Sequence, residues 1–252
     1  ADGAGNWTLA GDITGNGALV KTGAGTLTLA GSNSYAGGTQ LQAGAITGDT
    51  DSITGPVAAS AGTALTFDQA AAGTYAGALS GAGNLEKAGV GTLTLAGSNA
   101  LTGGVGIAQG TLVTQGNNLL ESASSVRIDN GATLQLGGSE FIAALSGAGR
   151  LQVDGSLGLG GPADSVFGGD LAGAGIIAKT GPGALALNGA SSHSGVFNIN
   201  DGTVNLGGTL ASNTVNVNGP AATLAGTGTA NGNVNVNNGG SIAVTSASPG
   251  AL

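Results

Sequence analysis

Aliphatic and small polar residues alternate along most of the chain in short bursts that end at glycine. The clearest is Gly23-Ala24-Gly25-Thr26-Leu27-Thr28-Leu29-Ala30-Gly31. Strict alternation over this length predicts a strand with one buried face, Leu27 and Leu29 pointing inward and Thr26 and Thr28 outward. Apolar pairs two residues apart recur at Leu27/Leu29, Leu65/Phe67, Leu93/Leu95, Leu134/Leu136, Leu157/Leu159, Leu185/Leu187, Val204/Leu206, Val215/Val217, Val234/Val236 and Ile242/Val244. No helical stripe lasts more than a turn or two. Even Gln69-Ala70-Ala71-Ala72 is cut by Gly73, and glycine in a helix interior is costly. The pattern predicts strand and turn throughout.

The bursts belong to a longer repeat. Residues 13–46, 79–112 and 171–204 align without a gap, with glycines matching at Gly23/Gly89/Gly181, Gly25/Gly91/Gly183, Gly31/Gly97/Gly189, Gly37/Gly103/Gly195 and Gly44/Gly110/Gly202. A lysine matches at Lys21/Lys87/Lys179, and a partial copy occupies 145–161. Spacers at 57–65 and 126–134 each read as strand, turn, strand. The coils of 205–252 are shorter and rich in Asn and Gly.

Near-identical segments with glycine corners favour a coil in which each turn stacks on its own image, over a sandwich or barrel. The predicted fold is all-β: a single-stranded right-handed parallel β-helix (β-solenoid), one continuous domain over 1–252. Right-handedness follows from the general preference of parallel crossovers. At about twenty residues per coil the rod holds roughly a dozen coils and is about 60 Å long.

Composition sharpens this. Glycine supplies 53 of 252 residues, yet aliphatics are evenly spread and charge is scarce, which is unlike a disordered chain. With four Phe, two Tyr and one Trp, the core is expected to be thin and mostly aliphatic. A net charge of −8 with five basic residues argues against nucleic acid and anionic membrane surfaces as partners. Cysteine is absent, so thiol chemistry is excluded. No apolar run has the length of a membrane helix and no signal peptide opens the sequence. The strands are too short, and aromatics too few, for a membrane barrel.

Candidate chemistry is sparse. His193, the single histidine, aligns with Tyr35 and Leu101, which points to a structural corner residue over a member of a catalytic triad. Asp49/Asp51 and Asp164/Asp170 could bind Ca²⁺ weakly, but solvated loop acids are the simpler reading. Asp164, Asp170 and Asp201 are the best trio for a carbohydrate-active site. The Lys21/Lys87/Lys179 column reads either as a binding stripe for acidic glycans or, preferably, as exposed lysines that blunt sheet pairing or snorkel over a corner. Thr26/Thr28 and Thr92/Thr94 suggest an ice-binding rank that Ala184/Ala186 interrupts. Asn216, Asn218, Asn235 and Asn237 can stack as an amide ladder. Asn6-Trp7-Thr8 matches a glycosylation sequon. No catalytic, cofactor-binding or metal site is assigned, and no cofactor is expected.

The frame GxGxLxKxGxGTLTLxGxNxYxGGT at Gly15 to Thr39 resembles the passenger-associated transport repeat of Gram-negative autotransporters. The Asn/Gly-rich tail is similar to sequences near the end of such passengers. The resemblance implies secretion through an outer-membrane barrel, which this chain lacks, and display at the cell surface or release outside the cell. It implies a structural stalk or an adhesion and self-association module, with the chain itself or host and matrix ligands as partners. A carbohydrate-active β-helix with an acidic groove is the alternative, and an amyloid-like matrix protein a weaker one. No polar cap is visible at Ala1 or Leu252, in keeping with a fragment of something longer.

Overall fold

The computed structural model describes residues 5–244; Ala1, Leu252 and the last residues of the Asn/Gly-rich coils lie outside them. The chain divides into two compact units, Ala1–Leu134 and Gln135–Leu252. Both are coils of parallel strands, and no helix occurs among the described residues.

In the first unit one face runs through Trp7–Leu9, Thr26–Leu29, Ala45–Gly48, Ala64–Asp68, Asn84–Ala88, Gly104–Ile107 and Ser125–Ile128. Its register places Trp7 over Leu27, then Ile46, Leu65, Leu85, Val105 and Val126, so a turn takes 19 to 21 residues. A second face holds Leu19–Lys21, Thr39–Leu41, Val57–Ala59, Leu79–Gly81 and Asn99–Leu101. A third holds Gly73–Tyr75, Thr92–Leu95 and Thr111–Thr114. All these pairings are parallel, so each strand lies above an image of its own face one turn earlier.

The second unit repeats the arrangement. Ser146, Val166, Ala186, Asn205, Ala225 and Ala243 lie in register on one face, a turn taking 18 to 20 residues. Ser139–Ile142, Ser156–Leu159, Ile176–Lys179, Val196–Ile199, Thr214–Asn218 and Asn233–Asn237 form another. Arg150–Val153 pairs with Asp170–Ala172.

Alternation governs the interior as the sequence predicts. Leu27 and Leu29 are 1% and 3% exposed, while Thr26 and Thr28 are half-buried on the outer side. The apolar pairs from Leu65/Phe67 to Val215/Val217 are buried likewise. Each fully buried Leu or Val contributes roughly 1.5–3 kcal/mol, so a narrow column of them suffices to hold a coil. Two pairs depart from expectation. Val236, Ile242 and Val244 are exposed, because among the described residues no strand covers Ser241–Val244 on its far side.

The repeats do not stack on their own images, contrary to the sequence reading. The aligned segment is longer than one turn and shorter than two, so equivalent positions fall on different faces. Leu27 sits between Trp7 and Ile46, whereas its counterpart Leu93 sits between Gly73 and Leu112. The same offset breaks any Thr-x-Thr rank. Thr8, Thr28, Thr47 and Thr66 form one outward file, but Thr26 is followed by Ala45 and Ala64.

Candidate functional site

Lys21, Lys87 and Lys179 are buried, with 2%, 0% and 1% of their surface exposed. Each closes a strand in which it is the second inward position: Leu19 precedes Lys21, Leu85 precedes Lys87 and Ile177 precedes Lys179. The stems pack in apolar columns. Lys87 lies between Phe67 and Ile107, and Lys179 between Leu159 and Ile199. Both expectations for this column are therefore overturned. An exposed lysine and a glycan-binding stripe each need an ammonium in water, and Lys21 and Lys87 further belong to different faces.

Each ammonium donates to three backbone carbonyls in one arrangement. Lys21 Nζ reaches Thr22 O at 2.8 Å, Gly23 O at 2.6 Å and, one turn on, Ala43 O at 3.1 Å. Lys87 Nζ reaches Ala88 O at 2.6 Å, Gly89 O at 2.7 Å and Gln109 O at 3.1 Å. Lys179 Nζ reaches Thr180 O at 3.1 Å, Gly181 O at 2.7 Å and Asp201 O at 3.1 Å. An ammonium has three donors, and three acceptors satisfy it. Among the described residues no lysine is ion-paired, the ion pairs being Arg127 with Glu86 and Asp129, and Arg150 with Asp170.

Glycine makes the corner possible. Gly23, Gly89 and Gly181 have φ of 75°, 73° and 77°, and Gly44, Gly110 and Gly202 on the next turn have 71°, 66° and 67°. This left-handed conformation is open mainly to glycine. A Cβ on Gly202 would also lie 2.6 Å from Gly181 O and 2.8 Å from Lys179 Nζ. Burial pulls Lys87 and Lys179 below the ordinary lysine pKa; Asp68 draws Lys87 back up, as Asp201 and Asp164 do Lys179.

His193 is also interior, at 0% exposure, and is not a corner residue at the surface. Its Nδ1 lies 2.8 Å from Ser212 Oγ and its Nε2 3.0 Å from Gly175 O. The pair looks like a nucleophile and base, yet both residues are sealed from solvent and both ring nitrogens are occupied. The signal was present in the alignment, because Tyr35 and Leu101 are buried too. Burial lowers the His193 pKa, and the Gly175 hydrogen bond opposes the shift.

The acids are occupied mainly as structural acceptors. Asp164 Oδ1 accepts from Ala184 N at 2.8 Å, Asp201 Oδ1 from Gly202 N at 2.8 Å, and Asp49 Oδ1 from Ser52 N at 2.9 Å and Asp51 N at 3.1 Å. Asp170 takes Arg150 Nη1 at 2.5 Å and Ser192 N at 2.9 Å. Among the described residues no three of His, Asp and Glu gather as a metal site. Asn6 of the sequon accepts from Thr26 N at 2.9 Å.

The expected amide ladder is formed and is longer than predicted. Asn216 Nδ2 donates to Asn198 Oδ1 at 2.8 Å and Asn235 Nδ2 to Asn216 Oδ1 at 2.9 Å. A second file runs Asn237 to Asn218 to Asn200, both bonds 3.0 Å. Asn198 and Asn200 escaped notice because their strand, Val196–Ile199, carries Phe197 where its neighbours carry valine.

Coil and corners together define a repeat-built parallel β-solenoid. The repeat itself matches the passenger-associated-transport-repeat at residues 19–47, 85–113 and 177–206. Each match opens two residues before its lysine and closes just beyond the second positive-φ glycine. Over 150 residues the chain is 35% identical to the Adhesin BmaC autotransporter of Brucella suis biovar 1 (strain 1330), covering 54% of this chain and 4% of that protein. Three repeats and this relative identify the chain as autotransporter passenger sequence. No solved structure matches it.

Proposed function

We propose that the chain is a surface-displayed stalk segment of a Gram-negative autotransporter that also takes part in adhesion or self-association, and that it is not an enzyme. The observation that carries this reading is the inward use of its chemistry. All five basic residues are engaged within the chain, three in carbonyl corners and two in ion pairs. The trio Asp164, Asp170 and Asp201 is spent on backbone and Arg150 contacts. A broad surface depression of about 350 Å³ is lined by Gln40, Gln42, Ala58, Ala59, Ser60, Gly81 and Ala82 and holds no acid or base. Partners are then the chain itself or matrix ligands met over an extended amide- and hydroxyl-bearing surface; the adhesin name of the relative agrees with this.

The test removes one turn in register. Leu79 pairs with Asn99, so deleting 79–98 from the full-length protein joins matching positions of successive turns. Surface display should persist, while cell aggregation or adherence to matrix should fall. Unchanged aggregation and adherence with intact display would refute the adhesive role, and loss of display alone would leave a purely structural stalk.

A further inference from the structure

We infer that each transport repeat is a two-turn latch, closed by its lysine ammonium, that makes two successive turns of the coil open together. Two of the three acceptors, the first and second residues after the lysine, belong to its own corner. The third, Ala43, Gln109 or Asp201, belongs to the corner one turn on. A buried ammonium is stable only with its donors satisfied. Lifting the upper corner strands one donor, and opening the lower corner strands two.

The chain contains its own control. In the partial copy at 145–161 the lysine position is Val153, fully buried. There the corner shrinks: Arg150–Val153 ends two residues before Ser156–Leu159 begins, against four residues between Lys21 and Thr26. The roof glycine is lost with it, Ile176 standing where Gly202 stands relative to Lys179. Gly155, in the place of Gly181, is also absent from the residues with positive φ. Lysine, wide corner and roof glycine come and go as a set. The matched repeat likewise spans both halves, from just before the lysine to just past the roof glycine.

Lys87→Met tests this in the whole chain, because it keeps the stem length and removes the charge and donors. Hydrogen exchange is followed in Ala88–Gly91 and Ala108–Thr111, with the Lys21 and Lys179 corners of the same molecule as controls. The latch requires exchange to rise at least tenfold in both segments together, with the controls unchanged. Unchanged or slower exchange would make Lys87 only an apolar stem, as replacement of a buried charge by a hydrophobe can be neutral or stabilising. Acceleration in one segment alone would also overturn the coupling. Should Lys87→Met fail to fold, Lys87→Ala is refolded in methylammonium or in tetramethylammonium at equal concentration. Several-fold greater recovery in methylammonium, which alone brings N–H donors, upholds the latch; equal recovery defeats it.

Discussion

Arg127 bonds Glu86 two turns away, Nη2 to Oε1 at 3.1 Å, by reaching across Gly106. Glu86, Gly106 and Arg127 occupy one outward file, and a Cβ on Gly106 would run into the Glu86 carboxylate. Burial raises the Glu86 pKa, Arg127 lowers it and Asp129 raises it. Gly106→Ala should push Glu86 aside and cost no more than about 1 kcal/mol, the scale of an exposed ion pair. A double-mutant cycle with Arg127→Ala, read by urea midpoint, should then show the coupling gone.

Gly97 provides the contrast. A Cβ there would meet the backbone carbonyls of Gly77 and Ala76, which cannot swing away as a carboxylate can. Gly97→Ala is expected to lose about 1–3 kcal/mol, the range of overpacked interiors. A cost equal to that of Gly106→Ala would show that the turns separate readily at this corner.

Acidification should weaken the second unit through His193. Its folded pKa lies below the ordinary 6.5 because burial disfavours the cation. The unfolded chain thus binds the proton more readily, and stability rises with pH in this window. The contribution is complete above the unfolded value and is lost as pH falls through the folded one. Thermal midpoints of the native chain should therefore drop between neutrality and the acid side of that window. His193→Leu paired with Ser212→Ala, which leaves neither side-chain partner stranded, should flatten that slope.

The amide files should be most sensitive at their centres. Asn216 and Asn218 each bond both above and below, whereas Asn235 and Asn237 bond once within the described residues. Asn216→Ala is expected to cost about 1–2 kcal/mol and Asn235→Ala about half that, at a net value near 1 kcal/mol per bond. Equal losses, measured by urea unfolding, would argue that the ladder bonds contribute little.

With every cation engaged internally, the chain should pass a heparin column in dilute buffer without retention. Retention would show that a lysine corner or an arginine pair opens easily to solvent.

Much of the coil was legible because period-two alternation is a direct record of which side is buried. Leu27, Leu93 and Leu185 could be placed inside from their neighbours alone. The same parity, carried one position further, puts Lys21 beside Leu19, Lys87 beside Leu85 and Lys179 beside Ile177 on the inner side. What misdirected the reading was residue type, since lysine is rarely buried without a carboxylate. Its partners are carbonyls, which every residue carries and no sequence displays. The mismatch between the repeat and the turn was also hidden, because turn length is set by corner geometry and varies between 18 and 21 residues. His193 was misjudged by its chemistry although its aligned companions were apolar.

Because the corner ammoniums meet only peptide oxygens and no solvent, dissolved ions have little access to screen them. The coil should hold its corners as firmly in brine as in fresh water, a useful property for a protein displayed beyond the ionic regulation of its cell.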